Sequence, residues 1–217
     1  MTSINVSTPW GIRSAAAGAA VAAALMLAGC AGGAPADPGA VSSTPTGSAT
    51  SSPPSTPTPT PTAVYKPADA SGPAQNVPVP VLPEVAKTET KEGLEAFVRY
   101  WYATLNYAFE TGKTERLMEI SAPGCVFCKG LRDGVSEAWA EGRWVSGGKI
   151  ETPAITVNME SGVEPHAVVQ VLQGTIEVRK PDGSLYQAPT AASNTGSRAA
   201  AAYGGTGWIM TDLGLIR

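Results

Sequence analysis

The sequence predicts an α+β fold, with helices first and an antiparallel sheet after them. Three observations carry this. Between residues 91 and 142 apolar side chains recur at helical spacing; from residue 150 onward they fall in β-rich runs separated by turn residues; and before residue 84 proline displaces both patterns. The chain therefore divides into a leader over residues 1–29, a proline-, threonine- and serine-rich stalk over 30–83, read as disordered, and one α+β domain over 84–217. About 134 residues, the difference 217 − 83, suffice for a single core.

The helical half begins with a long amphipathic element. Leu94, Phe97, Val98, Trp101, Leu105, Ala108 and Phe109 share one side, while Glu92, Glu95, Arg99, Asn106 and Glu110 lie mostly on the other. Tyr100, Tyr102 and Tyr107 widen the aromatic face. Thr88 or Thr90 is placed to cap the start and Gly112 to end the helix. A second, short helix is expected from about Thr114 to Ile120. A third is expected from Cys125 or Val126 to Gly142, after the break at Pro123-Gly124. Gly130 and Gly134 weaken that third helix by about 1 kcal/mol each relative to alanine, so close packing is expected to require them.

The strand half follows. Ile150–Met159 is one β-rich run and His166–Arg179 a longer one. In the longer run Val168, Gln170, Leu172, Ile176 and Val178 alternate with Val169, Val171, Thr175, Glu177 and Arg179. Pro181-Asp182-Gly183 reads as a turn leading to Leu185-Tyr186. Two last strands, Arg198–Tyr203 and Gly207–Leu213, flank the Gly204-Gly205 turn.

Upstream of the domain, residues 31–83 hold 13 of the 19 prolines and three charged residues, Asp37, Lys66 and Asp69. A Thr-Pro alternation runs from Ser55 to Thr62. Proline fixes φ and biases its predecessor towards an extended form, and too few large apolar side chains are present to offset the entropy of folding. The segment reads as a polyproline-type spacer that reaches about 150 Å when extended.

The leader has one charged side chain, Arg13, followed by sixteen uncharged residues rich in alanine. A positive start, a short apolar core and small residues at the cut are the parts of a secretory signal, and the stretch is short for a spanning helix. It ends in Leu27-Ala28-Gly29-Cys30, which resembles the lipobox of bacterial lipoproteins. The resemblance implies cleavage between Gly29 and Cys30 and a diacylglyceryl thioether on Cys30. Two acyl chains anchor stably where one does not. The implied location is the outer face of the cell membrane, with the membrane itself as first partner. Loss of Arg13 leaves a mature formal charge of 14 − 18 = −4, without a basic stripe, so nucleic acid is excluded as a partner.

The element order, together with Tyr100-Trp101-Tyr102, Ser121-Ala122-Pro123-Gly124-Cys125-Val126-Phe127-Cys128 and the Gly207-Trp208 strand, resembles an uncharacterised family of actinobacterial lipoproteins. It also resembles the nuclear-transport-factor-2-like, or cystatin-like, cone. The resemblance spans about residues 64–217. It implies helices packed on a curved antiparallel sheet and brings no known activity.

Three chemical readings follow. With Cys30 lipidated, Cys125 and Cys128 are the two remaining thiols, outside the membrane, where paired cysteines are usually oxidised. They form either a structural disulfide or a redox pair at a helix N-terminus; a metal is the least favoured alternative, because the sole histidine, His166, is remote. A cone enzyme would use His166 with an acid among Asp133, Glu137, Glu177 and Asp212, which lack a diagnostic spacing. A non-catalytic module would bind a small ligand, an envelope protein or a second copy, with Tyr100, Trp101, His166 and Trp208 as candidate pocket residues and Trp139 or Trp144 exposed. We take the third reading, with no cofactor and no metal, and keep the thiol oxidoreductase as its alternative.

Overall fold

The computed structural model describes residues 63–216. The leader, the Gly29–Cys30 cleavage site, lipidation at Cys30 and the Thr-Pro tract lie outside the described residues. Three helices come first: α1 (Lys91–Thr111), α2 (Glu115–Glu119) and α3 (Val126–Ala138). Seven strands follow: β1 (Trp144–Gly147), β2 (Ile150–Glu151), β3 (Ile155–Asn158), β4 (His166–Gln173), β5 (Ile176–Arg179), β6 (Ser193–Gly204) and β7 (Gly207–Ile216). The protein is α+β: its helices pack against antiparallel sheet.

The five-stranded sheet runs β2-β4-β6-β7, with β3 joining β2 on the same edge of β4. The expected run Ile150–Met159 is two strands, because Pro153 cannot donate to a ladder. The expected run His166–Arg179 also divides. At Gly174-Thr175 the chain leaves the main sheet, and β5 pairs with β1 in a two-stranded sheet instead. The change of sheet reverses the buried parity, so Val169 is buried in β4 and Val178 in β5.

Helix α1 forms as its sequence directs. Thr90 is the N-cap, its Oγ1 accepting from Gly93 N at 3.0 Å, and Gly112 closes the helix at φ 73°. The buried face of α1, chiefly Leu94, Phe97, Val98, Trp101, Tyr102 and Leu105, joins Ala167, Val169, Ala199, Ala201 and Met210 of the sheet in one core. A helix of this length draws most of its stability from such packing, each fully buried large apolar side chain contributing about 1.5–3 kcal/mol. Tyr102 stands opposite Ser197 of β6; burial pushes its phenol above the usual range and the serine hydroxyl partly offsets this.

The turn before α1 ties both ends of the domain together. Trp208 Nε1 donates to the Thr88 carbonyl at 2.9 Å, and Tyr203 Oη donates to the Lys87 carbonyl at 2.7 Å. The same Thr88 carbonyl lies against Gly93, where a Cβ would sit 2.1 Å from it. Only glycine allows that approach.

Composition misplaced the start of the domain. Residues 63–83, read above as the end of a disordered stalk, form an ordered arm on the domain surface. Lys66 and Gln75 exchange two backbone hydrogen bonds, Tyr65 Oη donates to Glu110 of α1 at 2.8 Å, and Trp144 Nε1 donates to the Asp69 carbonyl at 3.0 Å. Leu82 packs against the main core. Proline content hid this because the arm borrows its apolar partners from α1 and β1 instead of carrying its own.

The glycines of α3 also depart from expectation. A Cβ at Gly130 or Gly134 would meet nothing within 4 Å, so packing does not require them.

Three outcomes follow. Gly93→Ala should destabilise by about 1–3 kcal/mol through overpacking, outweighing the roughly 1 kcal/mol gain in helix propensity. Gly130→Ala and Gly134→Ala should each stabilise by about 1 kcal/mol. Urea titration with unchanged slope measures all three. The arm should respond to alkali. The Tyr65 phenol is pushed up to about 12 by burial and by the Glu110 carboxylate. Its contribution is complete below the unfolded value of about 10 and is lost as pH rises through about 12, because the folded state then holds a proton that the unfolded chain has released. Tyr65→Phe should remove this loss, read from amide exchange in residues 64–76 between pH 9 and 12.

Candidate functional site

Three places on the domain hold chemistry or exposed surface: the start of α3, the space between α1 and the sheet, and the sheet's far face.

Cys125 and Cys128 are disulfide-bonded. Cys125 is the N-cap of α3, its Sγ accepting from Cys128 N at 3.3 Å. Both sulfur-bearing residues are 0% exposed, while Val126 and Phe127 between them face solvent. The loop leading to the bridge is held at Ile120, Ser121, Ala122 and Cys125. Met210 N donates to Ile120 O at 2.9 Å and Ala122 N to Met210 O at 2.7 Å, joining the loop to the edge of β7. Ser121 Oγ accepts from Trp101 Nε1 at 2.9 Å and donates to Leu117 O at 2.7 Å. Cys125 N donates to Ala122 O at 3.0 Å. The disulfide thus closes a buried hydrogen-bonded corner between α1, α2, α3 and β7.

The space between α1 and the sheet is core. Trp101 and Trp208 lie within it, and their indole N–H groups are both satisfied. Tyr100 is buried outside that cluster, its Oη accepting from Arg116 Nη1 at 2.8 Å. His166 stands at the start of β4 on the opposite face of the sheet, half-buried, its Nδ1 2.9 Å from the Glu164 carbonyl. The four residues chosen from sequence therefore share no pocket: three are packing residues and the fourth is elsewhere. Trp139 and Trp144 are not exposed either. Trp144 is buried, and Trp139 Nε1 donates to Phe109 O at 3.0 Å.

The candidate acids are scattered. Asp133 pairs with Arg132, Glu177 with Arg179 and Ser146, and Asp212 lies exposed on β7. Among the described residues no group of three His, Cys, Asp or Glu side chains is placed to hold a metal ion.

Exposed large apolar side chains lie on the arm (Val64, Val79, Val81), at the start of α3 (Val126, Phe127) and, with Val168 and Ile216, on the outer face of the sheet. The pairing His166↔Ala200↔Asp212, Val168↔Arg198↔Gly214 and Gln170↔Gly196↔Ile216 sets these residues in rows across β4, β6 and β7. Val168 is 44% and Ile216 48% exposed. A shallow cleft of about 380 Å³ lies beside them, lined by Ala154, Thr156, Val168, Gln170, Asn194 and Gly196. Alternation alone named Val168 and Gln170 as face-sharing residues, but which face met the helix depends on the packing of α1.

The result is an α+β domain with a filled interior, a buried disulfide and, among the described residues, a partly exposed outer sheet face. The chain belongs to a family of unknown function (DUF6318), matched over residues 63–214. The match includes the arm and agrees with the extent of the resemblance drawn from sequence. No curated protein matches the sequence. Among solved structures, the intermembrane-space region of the chloroplast protein ARC6 is similar at 15% identity and TM-score 0.42, over 59% of this chain and 98% of that one. An uncharacterised protein with a cystatin-like fold from Caulobacter vibrioides is similar at 14% identity and TM-score 0.41, over 60% and 92%. A protein from Catenulispora acidiphila follows at 15% and 0.39, over 57% and 91%.

Replacing both cysteines, Cys125→Ala with Cys128→Ala, should lower stability by about 2 kcal/mol, since the loop is only about four residues long. Native protein should show no titratable thiol from this pair until it is unfolded in reductant.

Proposed function

We propose that this protein is a lipid-anchored extracytoplasmic protein whose domain binds a partner through the outer face of its sheet and performs no chemistry. The observation that carries the reading is the filled interior. Phe97, Trp101, Leu105 and Met210 occupy the space that a cone enzyme would need for substrate. Catalysis by proton transfer needs a titratable group that a substrate can reach, and the Tyr102 phenol in this core is buried beside Ser197. Burial of Cys125 and Cys128 disfavours the thiol oxidoreductase, because exchange requires a thiolate to reach the disulfide in line.

The anchor rests on the leader and Leu27-Ala28-Gly29-Cys30. With the ordered arm beginning at residue 63, the spacer comprises residues 31–62, and 32 residues of polyproline-like composition reach about 100 Å. The outer sheet face offers Val168, Ile216, Thr156 and two glycines around Arg198, which lies between Val168 and Gly214, with Asp212 in the next row. A mixed face of this kind, apolar side chains beside a charge, suits an envelope protein or a second copy of this chain.

Equilibration with glutathione buffers tests the choice between binding and redox function. A potential below about −300 mV supports a structural bridge; one between about −120 and −230 mV would overturn this reading in favour of thiol exchange. Two substitutions test the rest. Cys30→Ala should move the protein from the membrane fraction to the soluble one. Val168→Glu should abolish self-association or partner binding with little change in melting temperature, since it adds a charge at an exposed position.

A further inference from the structure

We propose that residues 64–76 form a force-released strap: a pull on the chain before residue 63 opens this hairpin while the rest of the domain stays folded. The inference goes beyond partner binding at the outer sheet face, and it holds whether or not Cys30 carries a lipid.

The geometry decides how load enters. Lys66 pairs with Gln75 and Asp69 with Gly72, both antiparallel, so the chain enters at residue 63 and leaves at residue 77 from the same open end. Residues 1–62 are joined covalently to the domain at that end. Beyond the hairpin the chain is fixed again: Leu82 packs against the main core, and Ala86 is buried in it. A pull on residue 63 therefore acts across the open end. It loads the hydrogen-bonded pairs one after another, so each resists alone.

Each pair offers little resistance. No residue between 63 and 76 is buried. At the base Asn76 stands at φ 53°, in the left-handed region, and its Nδ2 donates to the Val64 carbonyl at 2.9 Å. Next come the bond from Tyr65 Oη to Glu110, 2.8 Å, and the two Lys66–Gln75 bonds, 3.0 and 2.9 Å. The tip is held best. Trp144 Nε1 donates to the Asp69 carbonyl at 3.0 Å, and the Ala70 carbonyl packs so close to Gly183 that a Cβ there would stand 2.3 Å from it. Opening thus runs from base to tip. A segment with few buried apolar contacts and exposed backbone bonds opens well below the free energy of global unfolding, and a two-stranded hairpin is marginal without supports. At the other end of the domain β7 resists differently: Trp208, Met210 and Leu213 are buried, so peeling it breaks the core. Opening the 13 residues lengthens the link by about 40 Å, at roughly 3.4 Å per residue less the width of the hairpin. It also frees the Glu110 carboxylate and the Trp144 indole N–H, and it removes one wall of the grooves along α1 that Tyr107 lines. The strap turns a pull into length and exposed aromatic surface.

The test stretches the full chain by its two ends in magnetic tweezers, in a Cys30→Ser background so that no other thiol competes. The strap predicts a reversible lengthening of about 40 Å at a force below that of global unfolding, without hysteresis because hairpins reform in about 1–10 μs. Lys66→Cys/Gln75→Cys is the control, since an antiparallel hydrogen-bonded pair is close enough for a disulfide. Oxidised, this variant should lengthen by only about 10 Å; in reductant the same molecule should regain about 30 Å, with the buried Cys125–Cys128 bridge still closed. Tyr65→Phe should lower the opening force and leave the length unchanged. The absence of any lengthening before global unfolding would overturn the proposal. So would equal lengthening of the oxidised and reduced variant, which would place the opening elsewhere.

Discussion

The seating of α1 on the sheet is the contact from which the rest of the domain follows. Ala167, Ala199 and Ala201 are fully buried on the face that meets the helix. Their small side chains let Phe97 and Trp101 come close to the strands. Dense packing between aromatic and alanine surfaces leaves little void, because each methyl-sized gap would cost about 1 kcal/mol. A sheet with larger spacing from its helix would hold a cavity. Here the same contact that stabilises α1 closes the interior.

Two fastenings keep that contact in register. At the start of α1 the Thr88 carbonyl meets both Gly93 and the Trp208 indole, so the β6–β7 hairpin and the helix share one backbone atom as their reference. At the middle of the helix Trp101 reaches Ser121, in the loop that the Cys125–Cys128 bridge terminates and that Met210 holds by two backbone bonds. The disulfide closes a short loop, so its restriction of the unfolded chain is at the low end of the usual range, about 2 kcal/mol. Its value lies in fixing the corner where α2, α3 and the edge of β7 converge.

Much of this was readable from sequence. The helical stripe of α1, the Thr90 cap, the Gly112 stop, the break at Pro123-Gly124 and the final hairpin around Gly204-Gly205 are local properties, set by side-chain period and by residues with special backbone preferences. Less readable were the elements defined by their partners. The β1 strand, Trp144–Gly147, carries two glycines just beyond or within it and gains its identity from β5. The arm was hidden under its prolines. Gly130 and Gly134 looked like packing positions, but the glycine of close approach is Gly93, at the start of α1.

By itself the sequence determined the class of fold, the order of its helices and final strands, and the closeness of its two domain cysteines. Each of these depends on residues near one another in the chain. Tertiary structure alone decided that Trp101 and Trp208 fill the core, that His166 faces away from them, that Val168 of β4 lies on the face away from α1, and that residues 63–83 belong to the domain. These are questions of which surfaces meet across long separations. Aromatic side chains suit a core and a pocket wall equally, and only the distance between α1 and the sheet tells the two apart.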